Sequence, residues 1–352
     1  MAIDTRPLET LRDAEKLLDL VYSTYGLTYH RSFMYDAERV MELNASGAVS
    51  SFLAADRETG RIVGHLAAIR PYFEITAPRP SDHGPPVVEV GLSIVDPDYR
   101  NQNVQGALAI ELVQGISVNN ANLRGFYMKC LTEHTHSQKS ARRFCGTATA
   151  LFLGGVPSWV VCDTGERHSR QPKTTLLIHC PYGDAERRAV HVPAGHVDAL
   201  ADLYASCRLE RELLPVSAAA PPAGPTAIRQ HFDPARRQGV LRVSRPGADL
   251  GAAVAAKVDW MLRGHMEHVT VLLPLTGPGV ASAVGELERA GLFFGGVVPD
   301  LEGVDTLVME ALSTTVLDTD SIIVLGEEAE RLKTHVVEAW RKASRIRMAQ
   351  AG

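Results

Sequence analysis

Two segments of this chain repeat one pattern about 140 residues apart. FCGTATALFLGGVP begins at Phe144 and ERAGLFFGGVVP begins at Glu288, and each places a predicted helix end and a glycine before a strand with the same aromatic, glycine, valine and proline order. A second hydrophobic strand follows each of them. Such self-similarity at a long separation is typical of a duplicated fold. The 352 residues also suffice for two domains that each bury a core.

Hydrophobic periodicity predicts helices and strands mixed along both halves. The first half is predicted as a helix (residues 8–25), a helix (36–46), a hairpin (51–56 and 62–69), a strand (87–95), a helix (103–118), a strand (126–131), a helix (136–144) and two strands. The second half is predicted to continue with a helix at 196–207 and further strands and helices from 240 to 344. We therefore expect an α/β (α+β) fold with domains at 1–183 and 184–352, and a flexible Ala/Pro-rich segment at 215–226.

The charge balance and the cysteines limit the classes of partner. Lys and Arg number 36 against 41 Asp and Glu, a net charge of −5, so no general positive field attracts nucleic acid or an anionic membrane. The five cysteines include no C-x-x-C pair and no metal-ligand spacing, which favours reduced thiols and no metal. No apolar signal core or membrane span is visible. We expect a cytoplasmic protein with no nucleic-acid or membrane partner.

The segment VVEVGLSIVDPDYRNQNVQGALAIELV, residues 87–113, carries the strongest motif. It resembles the central strand, loop and helix of the GCN5-related N-acetyltransferase (GNAT) superfamily, in which a strand ending in V-x-P precedes Tyr-Arg, a glycine-rich loop and a long helix. Residues 25–47, the GHLA strand at 64–67 and residues 132–146 also resemble a bacterial branch of these acyltransferases that carries a second, degenerate domain. This resemblance implies two tandem domains of the fold, each a mixed central sheet flanked by helices, with a degenerate C-terminal copy. It also implies acetyl-CoA or another acyl-CoA as the donor.

The resemblance assigns the donor site to the end of that strand and the loop after it. Backbone N–H groups at a loop and a helix N-terminus suit a pyrophosphate, because the helix dipole favours negative charge there. Gln105 stands where the family has a small residue, and Gly106 comes one place late. The predicted donor-binding residues are Leu92, Ser93, Ile94, Val95, Arg100, Asn101, Gln102, Asn103, Val104, Gln105 and Gly106.

Two residues are predicted as the catalytic base. Glu89, on the strand before the loop, is spaced from Arg100 as the catalytic glutamate is in the histone-acetylating branch of the family; the alternative is a strand residue on a solvated face. His134, in the sequence T-E-H-T-H-S, is the second candidate, although most histidines are structural. Arg142 stands near the position of the family's tyrosine acid. The groups that could replace that acid are Tyr127, Ser137 and Cys130, and Cys130 is also a candidate nucleophile.

Aromatic residues around the first inter-helix turn are predicted to contact the acceptor, because this turn covers the acceptor cleft in the family. They are Tyr25, Tyr29, His30 and Tyr35, together with Tyr127; alternatively, the four near the turn staple two helices together. The implied reaction is direct acyl transfer to the amine of a small molecule. The alternatives are an acyltransferase whose donor is bound to an acyl carrier protein, and a non-catalytic acyl-CoA sensor. The C-terminal domain is expected to wall the acceptor site or to form a homodimer contact.

Overall fold

The computed structural model describes residues 3–72, 86–160, 171–183 and 186–351. Residues 73–85, which include most of the proline-rich sequence APRPSDHGPP, and Cys162 lie outside these residues. The chain forms two compact units that do not divide at residue 183. The first comprises Met1–Phe126 with Ser158–Arg170, and the second comprises Tyr127–Pro157 with Gln171–Gly352. The predicted domain boundary at residue 183 does not coincide with the division between the compact units. That the two halves of the chain have related folds stays a prediction.

In its described residues, the first unit forms four antiparallel strands and three α-helices. Its strands follow the order β1-β2-β3-β4. The elements are β1 (Ile3–Pro7), α1 (Leu11–Tyr25), α2 (Ala37–Ala45), β2 (Val49–Asp56), β3 (Ile62–Ile69), β4 (Val87–Val95) and α3 (Val104–Asn119). One hydrophobic core lies between α1, α2 and the sheet, and it includes Leu17, Val21 and Leu53, all fully buried. The predicted hairpin and the strand at 87–95 are confirmed.

The start of the chain differs from the prediction of a helix from residue 8. Residues 3–7 instead pair with β2 as strand β1, and the backbone N–H of Leu8 donates to the carbonyl of Ser51. The helix begins only after Thr10, whose hydroxyl accepts from the Asp13 N–H while the Asp13 carboxylate accepts from the Thr10 N–H. This reciprocal cap satisfies two N–H groups that an earlier start would leave to solvent.

The second unit contains most of the strands, in the order β5-β7-β6-β13-β14-β12-β11-β10, and a separate parallel pair of β8 with β9. The strands are β5 (Gly125–Leu131), β6 (Thr147–Val156), β7 (Lys173–Pro181), β8 (Arg188–Pro193), β9 (Arg211–Val216), β10 (Ala227–Asp233), β11 (Gln238–Arg245), β12 (His268–Pro274), β13 (Phe293–Leu301) and β14 (Val304–Leu312). The helices are α4 (His136–Arg142), α5 (Val197–Ser206), α6 (Leu250–Arg263), α7 (Pro278–Arg289) and α8 (Glu327–Ala351).

The repeated sequence pattern corresponds to a repeated order of elements. A strand, a helix and two strands occur as β5-α4-β6-β7 and again as β12-α7-β13-β14, with sheet orders β5-β7-β6 and β12-β14-β13. The strands that carry the two glycine pairs, β6 and β13, meet antiparallel at Ala150 and Gly296. In both copies the ladder to the next strand is irregular at the glycine pair, as expected where an extra residue bends a strand.

Hydrophobic periodicity does not predict several elements of the second unit. The short, half-exposed strands β8, β9 and β10 lack a strong apolar alternation. Residues 215–226, predicted to be flexible, begin inside β9, and their end is held by α6: the Ala248 N–H donates to the carbonyl of Gly224, and the Thr226 N–H donates to the carboxylate of Asp249. Within the described ranges, no helix is both long and apolar enough to cross a membrane.

Gly296 is expected to be indispensable to the contact between β6 and β13. Its φ is +126°, and a Cβ there would overlap the carbonyl oxygen of Thr149 and lie 2.7 Å from the Cβ of Ala150. Gly296→Ala should therefore lower the free energy of unfolding by about 2 kcal/mol or more, because strain and overlap add. Chemical denaturation measures the change.

Gly285→Ala is the matched control. Gly285 is exposed on α7 with no atom within 4 Å of a Cβ, so alanine should leave stability unchanged or raise it. Equal losses in the two variants would contradict the packing described for β6 and β13.

Candidate functional site

Strand β4 contains one more residue than its partner in the ladder. His65 of β3 pairs with Ile94 and Ala67 pairs with Gly91, so the single residue Leu66 of β3 lies opposite two residues of β4, Leu92 and Ser93. The extra residue lies at Leu92, whose φ of +54° is left-handed and uncommon for a residue with a branched side chain. A bulge interrupts pairing locally, and it therefore turns backbone groups of β4 out of the regular ladder.

A buried histidine contacts this bulge. His65 has no exposed surface, and its Nδ1 lies 2.8 Å from the carbonyl oxygen of Leu92. Burial lowers the pKa of His65 to about 4, so the ring is neutral near pH 7. Sequence analysis missed His65, because one histidine inside the strand IVGHLAAI has no spacing that distinguishes it from a core residue.

The loop after β4 is anchored by buried polar groups. Tyr99 is 8% exposed, and its hydroxyl donates to Asp56 Oδ2 over 2.7 Å. The other carboxylate oxygen of Asp56 accepts from the N–H groups of Glu58 and Thr59. The Tyr99 hydrogen bond is the main reason that the pKa of Asp56 falls to about 2. Asp96, at the start of the loop, forms an ion pair with Arg61, and the loop is thus fixed to the β2–β3 turn.

The N-terminus of α3 offers backbone N–H groups without a side-chain cap. Asn101 and Asn103 both have positive φ, 63° and 57°, and Asn103 at the N-cap makes no side-chain capping bond. The first turn holds no acidic residue. The side chain of Asn103 lies against the Cα of Gly106, where a Cβ would overlap its amide oxygen. Glycine at 106 leaves room for the Asn103 side chain in this position.

This arrangement fits an anionic group. The N–H groups of the first helical turn have no intrahelical partner, and they lie at the positive end of the helix dipole. Arg100 and Gln105 are exposed beside them. Val104 fixes the helix start, because its side chain packs against Gly64 of β3 where a Cβ would lie 2.6 Å away.

The two predicted bases have different surroundings. Glu89 is 7% exposed on β4, which excludes the alternative of a strand residue on a solvated face. His134 belongs to the second unit and is half-buried; burial lowers the pKa of its imidazole, with a smaller contribution from His136. The rings of His134 and His136 lie 5.0 Å apart. The lowered pKa favours the neutral form of the His134 imidazole.

The predicted acceptor residues of the first unit pack into its core. Tyr29 is 8% exposed, and Tyr25 and Tyr35 pack against the same cluster. The Tyr35 hydroxyl donates to the carbonyl of Gly26 over 2.8 Å and accepts from the Tyr29 N–H over 2.9 Å. The ring of His30 lies 5.0 Å from that of Tyr29. These contacts tie the end of α1 to the turn before α2. Both the role in acceptor binding and the alternative, that these residues staple the two helices together, stay predictions.

Two of the candidates to replace the general acid, Tyr127 and Cys130, are buried. Tyr127 of β5 is fully buried, with Lys129 Nζ 6.0 Å from its ring centre. Burial raises the pKa of Cys130 to about 12, so this thiol is protonated and is a poor nucleophile. Arg142 forms an ion pair with Glu328 and donates to the carbonyl of Leu325, and it thereby holds the segment before α8.

The second copy of the strand–helix unit has the opposite electrostatic character. Counting elements back from the repeat identifies β11 and α6 as the counterparts of β4 and α3. Asp249 stands at the N-cap of α6, and the carboxylate of Glu286 lies against Gly251 in its first turn. Negative side chains thus already lie at this helix N-terminus, which disfavours a bound anion.

No protein-family model and no curated protein sequence matches this chain significantly. Among solved structures, it is similar to a putative acetyltransferase of the GNAT family from Desulfovibrio desulfuricans, with 12% identity, a TM-score of 0.38, and coverage of 51% of this chain and 99% of the other. It is similar to Arabidopsis thaliana NAA60 in complex with acetyl-CoA, with 16% identity, a TM-score of 0.39, and coverage of 52% and 100%.

A third similar structure is a GNAT superfamily phosphinothricin acetyltransferase from Sinorhizobium meliloti in complex with AcCoA, with 18% identity, a TM-score of 0.38, and coverage of 52% and 90%. Likenesses with TM-scores this low do not establish an activity. The function of this chain has to be argued from its own residues.

Tyr99→Phe tests the anchor of the loop. Removing the hydroxyl should raise the pKa of Asp56 from about 2 toward its ordinary value of 3.8, as measured by NMR titration of the carboxyl carbon. A lowered pKa stabilises the folded state above the unfolded pKa, and this stabilisation is lost as the pH falls toward the folded pKa. The variant should therefore be less stable than wild type above about pH 4, with the difference shrinking toward about pH 2.

Tyr22→Phe, at a position 62% exposed on α1, is the control and should change neither quantity. An Asp56 pKa that is the same in wild type and in Tyr99→Phe would show that the Tyr99 hydroxyl does not hold the loop.

Proposed function

We propose that this chain is an acyl-CoA-dependent N-acyltransferase of the GNAT type, with its donor site in the first unit. One observation carries the proposal: a bulged strand leads through an anchored loop into a helix whose first turn has neither a side-chain cap nor an acidic residue. Acyl-CoA presents a pyrophosphate and a thioester carbonyl. An uncapped helix N-terminus suits the first, and backbone N–H groups released from a strand ladder suit the second.

The pyrophosphate is held by residues 100–106. The N–H groups of Val104, Gln105 and Gly106 point along the axis of α3 toward the loop, and Arg100 adds a positive charge at its start. Left-handed backbone at Asn101 and Asn103 lets the loop curve tightly before the helix. The Tyr99–Asp56 bond orders the loop before any ligand arrives, so less entropy is lost on binding.

The acyl group is held along the strand edge from Leu92 to Val95. A regular strand uses its N–H groups in the ladder, whereas the bulge releases the backbone around Leu92 and Ser93. Ser93 is exposed, so a ligand can approach the strand at this point. Acyl-CoA supplies the activated acyl group, and the strand supplies hydrogen-bond donors to its carbonyl.

Glu89 is the proposed base. An amine is protonated near pH 7, and it has to lose a proton before its lone pair can attack a carbonyl. Glu89 lies on the same strand as the proposed acyl site and is nearly buried. A carboxylate there can accept the ammonium proton. His134, neutral near pH 7, is the second candidate, and a small-molecule amine is the proposed acceptor.

The C-terminal half is proposed as a degenerate copy of the same fold. Its element order from β10 to β14 repeats that of β3 to β7, with a helix between β11 and β12 as between β4 and β5. The carboxylates of Asp249 and Glu286 lie at the N-terminus of that helix and would repel a pyrophosphate. One acyl-CoA is therefore expected to bind per chain.

Gln105→Glu tests the proposed donor site. The change adds a negative charge at an exposed position in the first turn of α3 with almost no change in size. Acetyl-CoA and CoA should bind about tenfold more weakly, because the carboxylate repels the pyrophosphate. The helix itself should not be weakened, since acidic residues near a helix N-terminus are stabilising. Isothermal titration calorimetry measures affinity and stoichiometry.

Gln114→Glu is the matched control, an exposed glutamine about two and a half turns further along the same helix, and it should bind like wild type. Equal affinities for wild type and Gln105→Glu would contradict a pyrophosphate site at α3. Transfer from a carrier-linked thioester but not from acyl-CoA would instead support a carrier-protein donor. Binding of acyl-CoA without transfer to any of a panel of amines would identify a sensor.

Glu89→Gln tests the proposed base. Removing the proton acceptor while keeping the shape should lower kcat by about 10²- to 10⁴-fold and leave the affinity for acetyl-CoA unchanged. His134→Ala measured beside it separates the two candidates, and Glu58→Gln in an exposed turn is the control. If Glu89→Gln keeps the wild-type kcat across the pH range, then Glu89 is not the base.

A further inference from the structure

The bulge in β4 requires a conformation that its sequence does not favour. Leu92 has left-handed backbone at φ +54°, which costs a non-glycine residue about 1 kcal/mol or more. The preceding residue, Gly91, would adopt this conformation at lower cost, yet it is not the residue with positive φ. Some contact therefore has to hold the strained residue at position 92 rather than at 91.

His65 provides such a contact. A carbonyl oxygen accepts but cannot donate, so the 2.8 Å separation between Nδ1 and the Leu92 oxygen requires hydrogen on Nδ1. Because burial keeps the ring neutral, Nε2 then has no hydrogen. The hydrogen bond to Leu92 therefore specifies the tautomer with hydrogen on Nδ1. Among the described residues, Nε2 has no hydrogen-bond partner, and the bond to Leu92 is the ring's sole polar contact there.

The direction of the Leu92 carbonyl fixes the direction of the next N–H. The C=O and N–H of a trans peptide point to opposite sides of the chain, and the structure has no cis peptide bond in its described residues. When His65 holds the Leu92 carbonyl, the Ser93 N–H must point away from the His65 ring. This N–H is therefore aimed at a fixed side of β4, and it would rotate if the carbonyl were released.

We propose that His65 is a positioning residue for acyl transfer, whose Nδ1–H holds the Leu92 carbonyl so that the Ser93 N–H donates to the thioester carbonyl of the acyl donor. This inference rests on the proposed function. As the amine attacks, negative charge develops on that carbonyl oxygen, and a fixed donor stabilises it more than a mobile one. His65 contacts neither the donor nor the acceptor, and it acts through the bulge.

Three variants separate positioning from a structural role. The amide nitrogen of Asn occupies nearly the position of Nδ1 and that of Gln nearly the position of Nε2, so His65→Asn should keep the bond and His65→Gln should lose it. His65→Leu fills the space without any donor. We expect His65→Gln and His65→Leu to lower kcat at saturating acetyl-CoA by roughly 10- to 100-fold, with the dissociation constant of CoA unchanged. His65→Asn should retain most of the wild-type kcat.

A spectroscopic measurement tests the same bond without activity. A long-range ¹H–¹⁵N NMR spectrum of the wild-type chain at neutral pH should show His65 with hydrogen on Nδ1. Hydrogen on Nε2 would overturn the proposal whatever the kinetics, and this measurement stands even if a variant fails to fold.

The kinetic outcomes distinguish the positioning role of His65 from the proposed acyltransferase function. Equal kcat in wild type, His65→Gln and His65→Leu would overturn the positioning role and leave the proposed function intact. A His65→Asn variant as slow as His65→Leu would also overturn it, because the shared hydrogen bond would then have no effect on rate. A wild-type chain that binds no acetyl-CoA would overturn the proposed function, and the positioning role with it.

Discussion

One extra residue in β4 underlies the arrangement of the first unit. The bulge at Leu92 removes backbone groups from the ladder and redirects the strand before it enters the loop at Asp96. The loop is then tied back to β2 by Tyr99 and to the β2–β3 turn by Arg61. With the loop held in this way, α3 begins with an exposed N-terminus that has no side-chain cap. A strand without the bulge would satisfy its own N–H groups and offer none to a ligand.

The two halves of the chain use similar elements with opposite charge. In the first unit, the helix after the fourth strand begins with neutral asparagine and glutamine, whereas its counterpart α6 begins at Asp249 with Glu286 against its first turn. The element order is kept, and the strands with the glycine pairs meet at Ala150 and Gly296. The proposed duplication, with loss of one anion site, is consistent with both facts. The difference between the N-termini of α3 and α6 lies in the carboxylates of Asp249 and Glu286, so it can be tested directly.

Much of the fold could be predicted from the sequence, because β4 and the β2–β3 hairpin have strong periodicity and clear ends. The strands β1, β8, β9 and β10 could not be, because short strands with few apolar residues give no period-two signal. The motif at residues 87–113 predicted where the candidate site lies. It could not reveal the bulge at Leu92, because the bulge depends on the register between β3 and β4. It also could not reveal the contact with His65, which depends on that register and on the tautomer of the ring.

Amide hydrogen exchange with and without acetyl-CoA tests the central claim most directly, because it reports where the ligand binds without assuming any chemistry. The account predicts slower exchange at residues 103–107, the first turn of α3, and at residues 92–95 of β4. It predicts no change at residues 249–253, the first turn of α6. Protection at α6, or saturating acetyl-CoA with no protection at α3, would contradict an acyl-donor site built on β4 and α3.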